Sequence, residues 1–177
     1  MKIIDVGCGP GIYVKALREV GIDADGVDLD PSCPYTVMDV FSEEFEVKYS
    51  GKYDVCMCIE VAEHLPENRA DDLVKKLTKL APTVLFSAAV PGQGGHGHIN
   101  CQPKQYWIDK FAQLNYVVDF EATEKLISFM ISGYHMGWFR NNAVVFKQYG
   151  AACYERIIKE EAPQAIRLAE FIASQGL

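Results

Sequence analysis

Two short stretches hold most of the chain's reactive side chains. Residues 59–64 read Ile-Glu-Val-Ala-Glu-His, and residues 93–98 read Gln-Gly-Gly-His-Gly-His. If the first bends into a helical turn, Glu60, Glu63 and His64 stand at i, i+3 and i+4 and share one face. Two carboxylates and an imidazole so placed form a ligand set for a divalent cation, with His96 or His98 as a further ligand. Such a centre activates a hydroxyl as a nucleophile. Without an ion, His64, His96 or His98 is the candidate general base, with Glu63 beside it. The alternative is that these groups only hydrogen-bond near a ligand.

A second constellation lies at the N-terminus. The apolar residues Ile3, Ile4 and Val6 run into Gly7, Gly9 and Gly11, with Asp5 two residues ahead of the first glycine. This spacing predicts a buried strand turning tightly into a helix, with main chain bare enough for a ligand to approach. A dinucleotide fingerprint needs glycine at the first, third and sixth positions, but the sixth position from Gly7 is Ile12. A nicotinamide site therefore fits poorly. Asp28, seventeen residues beyond Gly11, ends a short second strand at the distance where doubly wound folds place an acid on ribose hydroxyls.

The elements that must position these groups alternate. Helix is expected from about Gly11 to Val20, over residues 67–81, from Pro103, over Glu121 to Tyr134 and over Ala151 to Ser174. Strands are expected at 2–6, 24–28, 35–40, 53–59, 83–90, 116–119 and 142–147, the last antiparallel to its neighbour. Strands alternating with helices imply an α/β, Rossmann-like, doubly wound and mostly parallel sheet covered on both faces. Right-handed crossovers then bring the loops after strands one, two, four and five to one edge. The antiparallel last strand starts at that edge, so Trp138, Arg140 and Asn141 fall over the site as substrate contacts, with 120–141 as a lid. His135 reads as structural.

Composition is consistent with one domain over residues 1–177. The chain is 49% hydrophobic and 23% charged, with a formal net charge of -7. That balance counts against binding a long nucleic acid non-specifically. The six cysteines form no CxxC pair, as expected of reduced thiols in a cytoplasmic setting. No apolar run is long enough to span a membrane.

The Asp5–Gly11 stretch resembles the DxGxGxG motif of class I S-adenosylmethionine (SAM) methyltransferases. That resemblance implies a seven-stranded sheet of order 3-2-1-4-5-7-6 and SAM as cofactor. It places Gly7, Gly9 and Gly11 against the methionyl part and makes Asp5 the residue that fixes the turn. Asp28 would accept the ribose hydroxyls, Asp39 would lie beside the adenine amino group, and Leu29 and Ile59 would line the cofactor site. Helices that often precede the first strand in this class are not seen, so the chain is either a minimal version or lacks an upstream segment. The Glu60-x-x-Glu63-His64 pattern is similar to the metal site of small-RNA 3′-terminal ribose methyltransferases and to the matching part of ubiquinone-pathway O-methyltransferases. The RNA enzymes' aromatic-acid-tryptophan segment is replaced here by INCQP. EVAEHLP, LFSAAVPGQGG and GWFRNN resemble a group of uncharacterised bacterial and phage methyltransferases over most of the chain. Together these imply O-methylation of a hydroxylated small molecule or glycan, with magnesium, manganese or zinc as the ion. An RNA-end or nucleotide methyltransferase is the runner-up, and a non-catalytic SAM-binding module is the rival from another class.

Overall fold

Ile3, Ile4, Asp5 and Val6 are all buried, as a strand covered on both faces must be, and they form the centre of the sheet. The computed structural model describes residues 1–133 and 137–150. The helix expected over 151–174, His135 and Cys153 lie outside the described residues. Seven strands run β1 (Lys2–Val6), β2 (Asp23–Asp28), β3 (Thr36–Val37), β4 (Val55–Ile59), β5 (Thr83–Ser87), β6 (Tyr116–Val118) and β7 (Val144–Gln148). Their order in the sheet is β3-β2-β1-β4-β5-β7-β6, the expected one. β7 pairs antiparallel with both β5 and β6, and the remaining pairings are parallel.

Helices α1 (Ile12–Glu19), α3 (Ala70–Leu80), α4 (Lys104–Ala112) and α5 (Phe120–Gly133) fall close to their expected places. On α3, Leu73, Val74, Leu77 and Leu80 are buried on one face. Each fully buried leucine contributes roughly 1.5–3 kcal/mol. Phe86 on β5 and Phe111 on α4 meet edge to face, and Phe111 stacks on Phe146 of β7 with centroids 4.0 Å apart. This aromatic core fixes the sheet's far side, so the loops at the C-terminal ends of the parallel strands have a rigid base.

Four local expectations need correction. Helix α2 (Glu43–Tyr49) has no counterpart in the sequence reading. Its apolar stripe is only Phe45 and Tyr49 among acids, and its start depends on Ser42, whose hydroxyl accepts from Phe45 N at 3.1 Å. The third strand is two residues long because Asp39 Oδ1 accepts from Phe41 N at 2.8 Å and turns the chain towards α2. The fifth strand stops at Ser87, three residues short. The last strand begins at Val144, because Gly137–Asn142 form a short helix, α6.

Helices α5 and α6 close one side of the sheet. Thr123 Oγ1 donates to Asp119 O at 2.7 Å and accepts from Val145 N at 3.0 Å, which ties α5 to β7. Met130 and Phe139 pack in the same buried cluster as Cys8, Val14, Met57 and Ile59. Among the described residues no helix is long and apolar enough to cross a membrane.

Candidate active site

β1 delivers the glycine turn to the C-terminal edge. Gly7, Gly9 and Gly11 all have positive φ, at 76°, 50° and 74°. A Cβ on Gly7 would strike Val61 and one on Gly11 would strike the Tyr35 ring, so those two glycines are needed for packing. A Cβ on Gly9 would meet nothing within 4 Å, and Gly9 is where the bare main chain faces open space. Gly11 caps α1 with no side-chain hydrogen bond, which leaves the helix's first N–H groups unclaimed by a side chain.

β2 supplies the acid that holds this turn. Asp28 Oδ2 accepts from Gly9 N at 2.7 Å, while Oδ1 accepts from Asp30 N at 2.8 Å. Leu29 beside it is 69% exposed. Asp39 is exposed at the end of the same sheet edge, with its carboxylate in the turn described above. Asp5 is only 2% exposed and its Oδ2 has no hydrogen-bond partner. Burial, reinforced by the Asp28 charge, pushes its carboxyl up to about 7. Burial together with the charges of Asp5 and Glu60 also raises the Tyr13 phenol. Tyr13 therefore feels the charges of both acids, and nothing in its sequence context pointed to it.

After β4 the chain carries the second constellation, and the geometry divides it. Glu60 adopts a left-handed backbone, φ 55°, held by its N–H donating to Ser87 O at 3.0 Å. That reversal breaks the continuous helical turn that the i, i+3, i+4 spacing assumes, and the 3-10 turn begins only at Ala62–His64. The Glu60 carboxylate accepts from Asn142 Nδ2 at 3.1 Å and from Gln93 Nε2 at 3.2 Å. Its ligand atoms are not among those of Glu63, His64 and His98 that converge.

Glu63, His64 and His98 do converge, with one ligand atom from each inside 4.8 Å of the others. Glu63 is fully buried, and neither carboxylate oxygen has a hydrogen-bond partner. Its desolvation, with the nearby Glu60 charge, raises its carboxyl above the usual carboxylate range. The Glu63 carbonyl accepts from Ile99 N at 2.9 Å and Asn100 N at 3.0 Å, which pulls the histidine loop onto the turn. His64 Nδ1 lies 3.2 Å from Gly97 O. A carbonyl only accepts, so Nδ1 is the donor of this pair and Nε2 is not engaged by it. The two imidazoles meet edge to face with centroids 5.0 Å apart, and a Cβ on Gly95 would collide with the His98 ring. His96 is exposed and outside the group.

α6 brings in its residues differently from expectation. Trp138 is 42% exposed, whereas Arg140 Nε and Asn141 Oδ1 are each buried without a partner. The residue that reaches Glu60 is Asn142, whose Nδ2 also donates to Gln93 Oε1 at 2.9 Å. Gln93 and Asn142 were visible only as parts of PGQGG and GWFRNN, with no spacing that linked them.

The comparisons with known proteins agree with this architecture. The family model for a methyltransferase domain matches residues 1–129. The ubiquinone biosynthesis O-methyltransferase of Saccharophagus degradans is 27% identical over 177 residues, covering 89% of this chain and 69% of its own length. That of Methylococcus capsulatus is 33% identical over 102 residues, 49% of this chain and 42% of the relative. The chain matches 37% of the length of the Proteus mirabilis enzyme of the same name. Among solved structures, a SAM-dependent methyltransferase from Archaeoglobus fulgidus superposes with TM-score 0.56 at 16% identity, over 83% of this chain and 86% of that one. The fold, the glycine turn and the family model lead to one conclusion: the chain belongs to the methyltransferase domain family, with the sheet order and fold seen in SAM-dependent methyltransferases.

Proposed function

We propose that the chain transfers the methyl group of SAM to an oxygen of a hydroxylated small molecule or glycan, with a divalent cation held by Glu63, His64 and His98. The observation that carries this reading is the convergence of a buried, unpartnered carboxylate with two imidazoles within 4.8 Å. A buried carboxylate without a partner is costly, and a cation is the partner that suits one oxygen and two nitrogen ligands. His64 fits that role, because its Nδ1 is already held by a carbonyl and its Nε2 is left to donate. Magnesium, manganese or zinc, when bound, lowers the pKa of a coordinated hydroxyl. The relatives named for O-methylation support oxygen as the acceptor atom.

The chain's own part is alignment. Displacement at a sulfonium needs the methyl carbon and the oxygen in line and roughly 3–3.5 Å apart. On the donor side Gly7, Gly9, Gly11 and Asp5 take the methionyl part and Asp28 takes the ribose hydroxyls. Leu29, Asp39 and Ile59 complete the donor site. On the acceptor side Trp138, Arg140 and Asn141 border the opening, with α5 and α6 as its cover. His64 or His98 accepts the hydroxyl proton where no ion is bound, and the exposed His96 is the lesser candidate.

Calorimetry with S-adenosylhomocysteine and with manganese, on the wild type and on Glu63→Gln, tests the reading, alongside methyl transfer to a panel of diols and phenols. The wild type should bind both ligands, and chelation should stop transfer until manganese is restored. Glu63→Gln should keep the donor product and lose manganese. Unchanged manganese binding by Glu63→Gln would remove the metal assignment, and donor binding with no transfer to any acceptor would favour a non-catalytic module.

A further inference from the structure

Cys8 stands between Gly7 and Gly9, and its Sγ lies 3.6 Å from Sγ of Cys33 in the turn that follows β2. Both side chains are buried, and the methyl transfer described above uses neither. The pair is built into the fold around the donor turn. A Cβ on Gly26 would sit 2.9 Å from Cys8 Sγ, so this glycine in β2 makes the room for the thiol. Cys33 N donates to Asp30 O at 3.0 Å, which curls the second turn back towards the first. The other described cysteines are placed differently: Cys56 and Cys58 lie inside β4, and Cys101 Sγ is 3.7 Å from His98 Nδ1.

We propose that Cys8 and Cys33 form a reversible disulfide that weakens donor binding. Two S–H bonds break and one S–S bond forms. The two electrons and two protons pass to a hydroperoxide, cleaved to water and an alcohol or a second water, or to a low-mass disulfide, reduced to two thiols. A disulfide bond of about 2.05 Å requires the sulfurs to close by roughly 1.5 Å. Both ends of that movement adjoin the groups that hold Asp28. Gly9, whose N–H sits 2.7 Å from Asp28 Oδ2, follows Cys8 directly. Asp30, whose N–H sits 2.8 Å from Asp28 Oδ1, caps the turn that contains Cys33. Drawing the sulfurs together therefore displaces the bare main chain at Gly9 and the acid beside it. Burial, with the adjacent Cys33 thiol, raises the Cys8 thiol, which keeps the reduced pair inert to brief exposure.

The test uses the full chain, reduced or treated with diamide, with peptide mapping under non-reducing conditions and calorimetric titration of S-adenosylhomocysteine. Oxidation should yield a Cys8–Cys33 linked peptide and lower the affinity about tenfold, the loss expected for a disturbed hydrogen bond to a charged group. Dithiothreitol should restore it. Cys33→Ser and Cys33→Ala should bind as the reduced wild type does and ignore diamide. Prior saturation with S-adenosylhomocysteine should slow the linkage, since the ligand favours the undistorted turn. A linked protein that binds as tightly as the reduced one overturns the proposal. So does a Cys33 variant that still loses affinity on oxidation, or oxidation confined to other cysteines. The switch rests on the donor site, and a reduced protein with no affinity would strike at that site itself.

Discussion

Asn142 donates through Nδ2 to Glu60 Oε1 at 3.1 Å, across 82 positions of sequence. This bond joins α6 to the end of β4 and, with Gln93, closes a network of two amides around one carboxylate. The same Glu60 faces Tyr13 and Glu63, so the network lies between the donor turn and the candidate ligand cluster.

Removing the amide should be felt in stability and then in position. Asn142→Ala leaves the Glu60 carboxylate short of a donor, at a cost of roughly 1–3 kcal/mol. Asn142→Asp sets a second carboxylate against the first and should cost more than the alanine variant. Urea midpoints of the two variants check the order.

The three glycines of the donor turn should separate by mechanism. Gly7→Ala puts a methyl group into Val61, so it should lower the melting temperature markedly. Gly9→Ala meets no protein atom and pays only about 1–2 kcal/mol of left-handed strain, leaving the chain folded. Its methyl group projects into the open space where the donor is proposed to bind, so the affinity for S-adenosylhomocysteine should fall much more than the stability. Melting curves and calorimetry on the same preparations decide this.

Asp5 gives the stability a pH dependence of known sign. Its carboxyl is raised from 3.8 to about 7 in the fold, so the folded state holds the proton more tightly than the unfolded chain. The contribution is complete below about pH 4 and disappears as the pH rises to about 7. Asp5→Asn should flatten the stability profile across that window and exceed the wild type at pH 8, on the order of a few kcal/mol. Urea denaturation of the ligand-free proteins between pH 4 and pH 8 measures it.

Glu63 should show two effects of opposite direction. With both oxygens buried and unpartnered, Glu63→Gln removes a costly charge and should raise the ligand-free melting temperature. Manganese should stabilise the wild type and leave this variant unchanged. Thermal melts with and without the ion show both.

Much of the fold is legible in local pattern. The continuous apolar run of β1, the punctuation by Gly7, Gly9 and Gly11, and the one-sided leucines of α3 each express a constraint that acts within a few residues. Their alternation determines a parallel sheet, and the sheet determines one ligand edge. Helix α2 escaped notice because its start rests on a single serine hydroxyl and its buried face on two residues.

By itself the sequence determined the candidate residues and the edge of the sheet to which their elements bring them. Only the tertiary structure decided how they pair there. The i, i+3, i+4 spacing of Glu60, Glu63 and His64 assumed a continuous helical turn, whereas Ser87 on the neighbouring strand holds Glu60 in a left-handed conformation. Whether an acid faces two imidazoles or an amide depends on residues such as Gln93, His98 and Asn142, whose approach is set by loop closure and sheet order. Those contacts are long-range, and no local periodicity encodes them.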